Sequence, residues 1–137
     1  MAVLARASIE DLNRGWDGLA ERPRYRFLRQ PETGLTMVRA RAGGTGMRFN
    51  LGEMTVTRCV VQTEDGQIGH AYVAGRDAKK AELAAVFDAL LQNGTQAPWI
   101  LRRVVEPLAE AQKRRAREAS AKAAATKVDF FTMVRGD

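Results

Sequence analysis

Between Met54 and Ala74 the chain holds two runs suited to strands, split by the dipeptide Asp65-Gly66. The first, Met54 to Thr63, is rich in β-branched residues, which suit a pleated and half-buried surface. The second is Gln67 to Ala74. Asp-Gly between two such runs is a strong hairpin signal, because a type I′ turn needs positive φ at both central residues. A two-residue turn would set Glu64 opposite Gln67, Val61 opposite His70, Cys59 opposite Tyr72 and Arg58 opposite Val73. One face then carries Val56, Arg58, Val60, Ala71 and Val73. The other carries Thr57, Cys59, Val61, Ile68, His70 and Tyr72. An antiparallel hairpin is therefore the anchor of the expected fold.

This register gives two residues a question to answer. Arg58 falls on an apolar face, where an unpaired charge is costly. It needs a carboxylate, such as Glu53, or an anionic ligand. His70 and Cys59 share the other face, but two ligands with no further acid or thiol nearby make a poor metal site. The expectation is no metal, with His70 packed and satisfied.

The flanks extend the pattern. Ser8 is a good N-cap with Asp11 three residues on, and Ile9, Leu12, Trp16 and Leu19 recur at helical spacing. A helix is predicted over Ser8–Glu21, ending before Pro23. Tyr25, Phe27 and Leu28, set among arginines, read as a short extended connector with its apolar residues inward. Pro31 to Gly34 reads as a turn, and Leu35–Arg41 as a strand. Gly43-Gly44-Thr45-Gly46 then reads either as a connecting turn or as a phosphate cradle, though it lacks the Gly-Lys-Ser/Thr ending of a P-loop. Gly43, Gly44, Gly46 and Arg58 are the candidate anion or nucleotide contacts.

Asp77 caps a predicted helix over Ala78–Gln92, whose stripe is Leu83, Phe87, Leu90 and Leu91. A further helix is predicted over Pro98–Ala123, kinked or restarted at Pro107. From Ala111 to Ala125 it carries charges and alanines but no large apolar residue. Such a helix propagates well and buries little, so it should project or lie on another chain. Val128–Val134 reads as a terminal strand with Phe130 on one face and Phe131 and Met133 on the other. Apolar residues on both faces imply cover on both sides. The expected class is α+β: an antiparallel sheet with an N-terminal helix, a central helix and a long kinked C-terminal helix.

The 137 residues suit a single domain with a real core. Of the net charge of +6, most lies between Arg102 and Lys127, where eight Lys or Arg meet three Glu. The positive segment reads as a solvated face or a docking surface. A nucleic-acid site is a third reading, but no aromatic side chains are interleaved to stack bases. Arg114, Arg115 and Arg117, with Phe130, Phe131 and Met133, are the candidate partner contacts. No apolar run is long enough to span a bilayer. No signal-peptide core begins the chain, and the single cysteine excludes an internal disulfide framework. These features point to a cytoplasmic protein without membrane contact. With one His, one Cys and scattered carboxylates, no catalytic constellation is expected.

The sequence also resembles a known family. The residues that carry the resemblance are Pro31-Glu32-Thr33-Gly34-Leu35, Gly43-Gly44-Thr45-Gly46, Phe49-Asn50-Leu51-Gly52-Glu53 and Thr55-Val56-Thr57-Arg58-Cys59. Gly69-His70-Ala71-Tyr72, Gly75-Arg76-Asp77 and the run Val128 to Gly136 join them. Together they look like the G subunit (PhnG) family of the bacterial carbon–phosphorus lyase machinery. The resemblance implies a role in phosphonate catabolism within a core complex of G, H, I and J subunits, which the K protein can join. It implies the I subunit as the direct contact and the L protein as a functional partner. The I subunit, helped by the others, would displace adenine from ATP with methylphosphonate, giving α-D-ribose 1-methylphosphonate 5-triphosphate. An iron–sulfur cluster and S-adenosylmethionine would belong to the J subunit, and no cofactor to this chain. The alternative reading is a free-standing basic protein that binds nucleic acid or a nucleotide.

Overall fold

The computed structural model describes residues 1–41 and 46–135, with residue 50 and residues 127–135 by backbone alone. The chain runs α1 (Ala2–Arg6), α2 (Ile9–Asp17), β1 (Tyr25–Arg41), β2 (Arg48–Thr63), β3 (Ile68–Ala74), α3 (Ala78–Leu90) and α4 (Ala97–Ile100). A π-helical turn, Leu101–Val105, then leads into α5 (Glu106–Arg135). The strands form one antiparallel sheet in the order β1-β2-β3. The α+β class and the placing of its helices match expectation.

Local chemistry explains the helix starts. The Ser8 hydroxyl accepts the Asp11 N–H at 3.1 Å, and the Asp77 carboxylate accepts the Lys80 N–H at 3.0 Å. Each satisfies one of the donors that a helix start leaves free. The first helix of any length stops at Gly18, earlier than the predicted Glu21.

The hairpin is real, but its register differs from the expected one. Thr63 N–H donates to the Gln67 carbonyl at 2.9 Å and Gly66 N–H to the Thr63 carbonyl at 3.0 Å. The loop is therefore Glu64-Asp65-Gly66, with Gly66 at φ +92°. This is the three-residue hairpin with its last residue left-handed. The Thr63 hydroxyl favours it, accepting the Gln67 N–H and donating to the Gln67 side chain at 2.6 Å. One more loop residue moves the pairing by one place, so Val61 faces Gly69, Cys59 faces Ala71 and Arg58 faces Tyr72. Ala71 and Val73 thereby join Thr57, Cys59 and Val61 on the buried face. His70 lies on the opposite face from Cys59 and is exposed, so the packed histidine of the sequence reading is not found.

Two further expectations are corrected. Pro31 to Gly34 makes no turn; β1 passes straight through it, with register shifts between Phe27 and Arg29 and between Arg29 and Glu32. Proline is tolerated there because bulges on an edge strand remove the need for its N–H. Phe27 and Leu28 are also partly exposed rather than inward. Second, Val128–Val134 is not a strand, because α5 continues to Arg135. No Gly or Pro interrupts the chain between Pro107 and Gly136. Extending an alanine-rich helix costs less than ending it and starting anew.

The core lies on one side of the sheet. Helix α3 packs across β2 and β3, and Phe87, Leu83 and Leu90 are fully buried there with Leu4, Leu12, Ile100 and Val104. Small residues let it come close: Ala81, Ala84, Ala85 and Ala89 line its inner side. At Gly69 the approach is closest, since a Cβ there would stand 1.9 Å from the Ala85 carbonyl oxygen and 2.6 Å from the Ala89 nitrogen. Two polar contacts hold the far end of α3 to β3. Asp88 accepts the His70 N–H at 2.9 Å, and the Gln92 amide donates to the Ile68 carbonyl at 2.6 Å. Pro107 produces the expected irregularity. It offers no N–H to the turn before it, and the helix widens there, with Glu106 N–H reaching back to the Leu101 carbonyl.

Candidate partner interface

Among the described residues the helices pack on one face of the sheet. The other face carries Val56, Arg58 and Val60 from β2 and Ile68, His70 and Tyr72 from β3. None of these is buried, and Tyr72 is 59% exposed. Among the described residues nothing covers this surface. Arg58 sits at its centre, with its guanidinium 3.6 Å from the Glu32 carboxylate. The partner is Glu32 on the neighbouring strand rather than Glu53. Both groups are about half exposed, so the pair adds little stability.

The sheet continues past the core as a two-stranded ribbon. β3 ends at Ala74, and Gly75, at φ +87°, turns the chain away after its N–H bonds the Thr55 carbonyl at 2.8 Å. Beyond that point, among the described residues, β1 and β2 pair only with each other, out to Arg41 and Arg48. A lone two-stranded ribbon is marginal in water. This one also exposes large apolar residues on both faces. Leu35 (68%) and Met37 (50%) lie on the face continuous with the core, and Met54 (39%) and Phe49 (47%) on the outer one. Leu51, 65% exposed, is the extra residue at the register shift between Val38 and Arg39. Exposed apolar area of this extent marks an interaction surface.

Of the anion-contact candidates, the two that lie among the described residues, Gly46 and Arg58, stand apart. Gly46 lies beyond the ribbon's tip, just before Arg48, whereas Arg58 is ten residues further along β2. At about 3.3 Å per residue that is a separation of about 33 Å. Gly43 and Gly44 lie outside the described residues. Of the partner-contact residues, Arg114, Arg115 and Arg117 are exposed on α5, just past the point where the Gln112 amide donates to the Val3 carbonyl at 3.0 Å. Arg115 lines a groove of about 440 Å³ with Arg14, Arg103, Asp11 and Trp99. The side chains of Phe130, Phe131 and Met133 lie outside the description.

Among the described residues two groups have displaced ionisation, the buried Cys59 and the half-buried Tyr25. Burial pushes the Cys59 thiol up to about 11, with the Glu82 carboxylate adding to the effect. Tyr25 is raised as well, first by burial and then by its hydrogen bond to Glu82. Both acids are held neutral, so the folded state keeps protons that the unfolded chain releases. The Cys59 contribution is complete below the ordinary thiol range near 8.5 and is lost as pH rises toward 11. Thermal melts should show falling stability between about pH 9 and 11. Cys59→Ala should flatten that slope, and an unchanged slope would count against Cys59 as its source. Among the described residues no three of His, Cys, Asp and Glu converge as metal ligands, and no helix is long and apolar enough to cross a membrane.

What sequence reading missed is the ribbon. Its sign was present in Phe49-Asn50-Leu51-Gly52-Glu53-Met54, where apolar residues alternate without settling on one face.

Comparison with known proteins agrees with the resemblance read from the motifs. The family described as phosphonate metabolism protein PhnG matches residues 1–136. The α-D-ribose 1-methylphosphonate 5-triphosphate synthase subunit PhnG of Rhizobium meliloti (strain 1021) is 45% identical, over all of this chain and 87% of its own length. With a match that runs through both the helical body and the ribbon, the chain belongs to the PhnG family of phosphonate metabolism proteins.

Proposed function

We propose that this chain is a non-catalytic accessory subunit of the carbon–phosphorus lyase core complex. In that role it assists the ATP-dependent formation of α-D-ribose 1-methylphosphonate 5-triphosphate with release of adenine. The observation that carries the reading is the uncovered apolar surface, outer sheet face and ribbon together. A small domain that leaves so much of its sheet open is built to be completed by another chain. The name of its relative, a synthase subunit, supports the same conclusion.

In this reading the partners are the H, I and J subunits, with the I subunit in direct contact and the L and K proteins acting alongside. ATP and methylphosphonate are substrates of the assembly. The iron–sulfur cluster and S-adenosylmethionine belong to the J subunit, and this chain holds no cofactor. The basic helix α5 fits an acidic partner surface and adds a positive field near a triphosphate. The test is adenine release from ATP and methylphosphonate by the I, H and L proteins, with and without this chain. Release should fall at least tenfold without it, and the chain alone should give none. Full release in its absence would end the accessory reading.

A further inference from the structure

Of the ribbon's two edges, the outer side of β1 and the side of β2 beyond Ala74, the second lies in line with an existing strand, β3. β3 pairs with β2 only from Val56 to Gln62, and the last bond on that side is from Gly75 N–H to the Thr55 carbonyl. Among the described residues the stretch Arg48–Met54, which continues β2 for about 23 Å, has a strand on its β1 side alone. Backbone groups alternate sides along a strand. Since Thr55 points toward the β3 side, Glu53 presents its N–H and carbonyl to the vacant edge, while Met54 turns toward Thr36 of β1. An open edge is a template for another strand, and this one carries no proline.

Charge narrows the occupant. Arg41 stands opposite Arg48, and Arg39 lies on the same face two residues away. Like charges directly opposite on a sheet repel. Among the described residues none of the three has a carboxylate partner within ion-pair distance. A second copy would bring the same arginines and add to the repulsion.

We propose that Arg48–Met54 receives an extended segment of a different chain as an added strand, in line with β3. That segment carries apolar side chains against the ribbon and carboxylates toward Arg39, Arg41 and Arg48. Main-chain bonds supply affinity and the alternating side chains supply selectivity, as in other strand additions. The inference rests on the docking role proposed above and names how the docking is made.

The experiment compares capture of the co-expressed I subunit by the full chain, by Glu53→Pro and by Glu53→Ala. Proline deletes one outward N–H and spares the β1 ladder, so the free variant should melt within a few degrees of the unaltered chain. Capture should fall at least tenfold with Glu53→Pro and less than threefold with Glu53→Ala, which keeps the amide. Hydrogen exchange on the unaltered complex is the second readout, with amides in Arg48–Met54 expected to slow at least tenfold on assembly. Undiminished capture by Glu53→Pro, or unslowed exchange in a formed complex, would overturn strand addition and leave docking standing. Failure of the unaltered chain to capture any core subunit would overturn both.

Discussion

Replacing Gly69 with alanine should destabilise the fold by about 3 kcal/mol or more, above the usual range for overpacking. The reason is the identity of what the new methyl meets. A Cβ at this position would lie 1.9 Å from the Ala85 carbonyl oxygen and 2.9 Å from the Ala89 Cβ. These atoms belong to the inner side of α3, so no side-chain rotation relieves the clash. The helix would have to lift from the sheet, loosening Cys59, Val61 and Phe87 beneath it. A domain with about 5–15 kcal/mol in total cannot absorb many such changes. Gly34→Ala is the control, since nothing lies within 4 Å of its added methyl. Its effect should stay within about 0.5 kcal/mol. Urea melts of both variants give the comparison, and equal stabilities would mean that α3 does not rest on Gly69.

Charging the ribbon should have the opposite profile, with a large loss of assembly and little loss of stability. In Leu35→Asp combined with Phe49→Asp, each face of the ribbon receives a carboxylate. Both positions are largely exposed in the free chain, so the isolated fold loses little. In a desolvated interface each would leave a buried charge without a partner. Two central apolar contacts at about 2 kcal/mol apiece correspond to a loss of affinity on the order of 1,000-fold. The variant should elute as a folded monomer and fail to join the I subunit. A variant that assembles normally would place the interface elsewhere, and α5 would then become the first alternative.

The contrast between these two glycine- and ribbon-based effects also shows what the sequence could reveal. Helix starts were legible because Ser8 and Asp77 act on donors only three residues away. The kink was legible because Pro107 cannot donate. The hairpin's existence was legible from Asp65-Gly66, but its register was not. That choice turned on Thr63, whose hydroxyl bonds Gln67 across the loop and stabilises a third loop residue. One place of register then decided which face Ala71 and Val73 occupy. Pro31 to Gly34 carried turn chemistry, yet the pairing of Glu32, Thr33 and Gly34 with Arg58, Thr57 and Val56 overrode it. The terminal segment failed for a related reason. Its apolar pattern fitted a strand, but the alanine-rich helix ahead of it had no residue to stop it.

The candidate interface was only partly visible. The projecting helix with Arg114, Arg115 and Arg117 followed from its lack of large apolar residues. The ribbon did not, because reading it requires knowing where β3 ends. Nothing in Ile68–Ala74 alone says that β1 and β2 run on past it. Arg58 stands out in the sequence for its charge on a sheet face, whereas its partner, Glu32, lies in a stretch whose residues suit a turn.

The decisive measurement is co-purification of the tagged full-length chain with co-expressed H, I and J subunits, followed by gel filtration and subunit quantification. A subunit whose sheet is completed by its partners should elute in one large species with all three, in fixed ratio, with little free chain. Elution of the chain as a folded monomer, apart from an assembly of the other three, would contradict the accessory role.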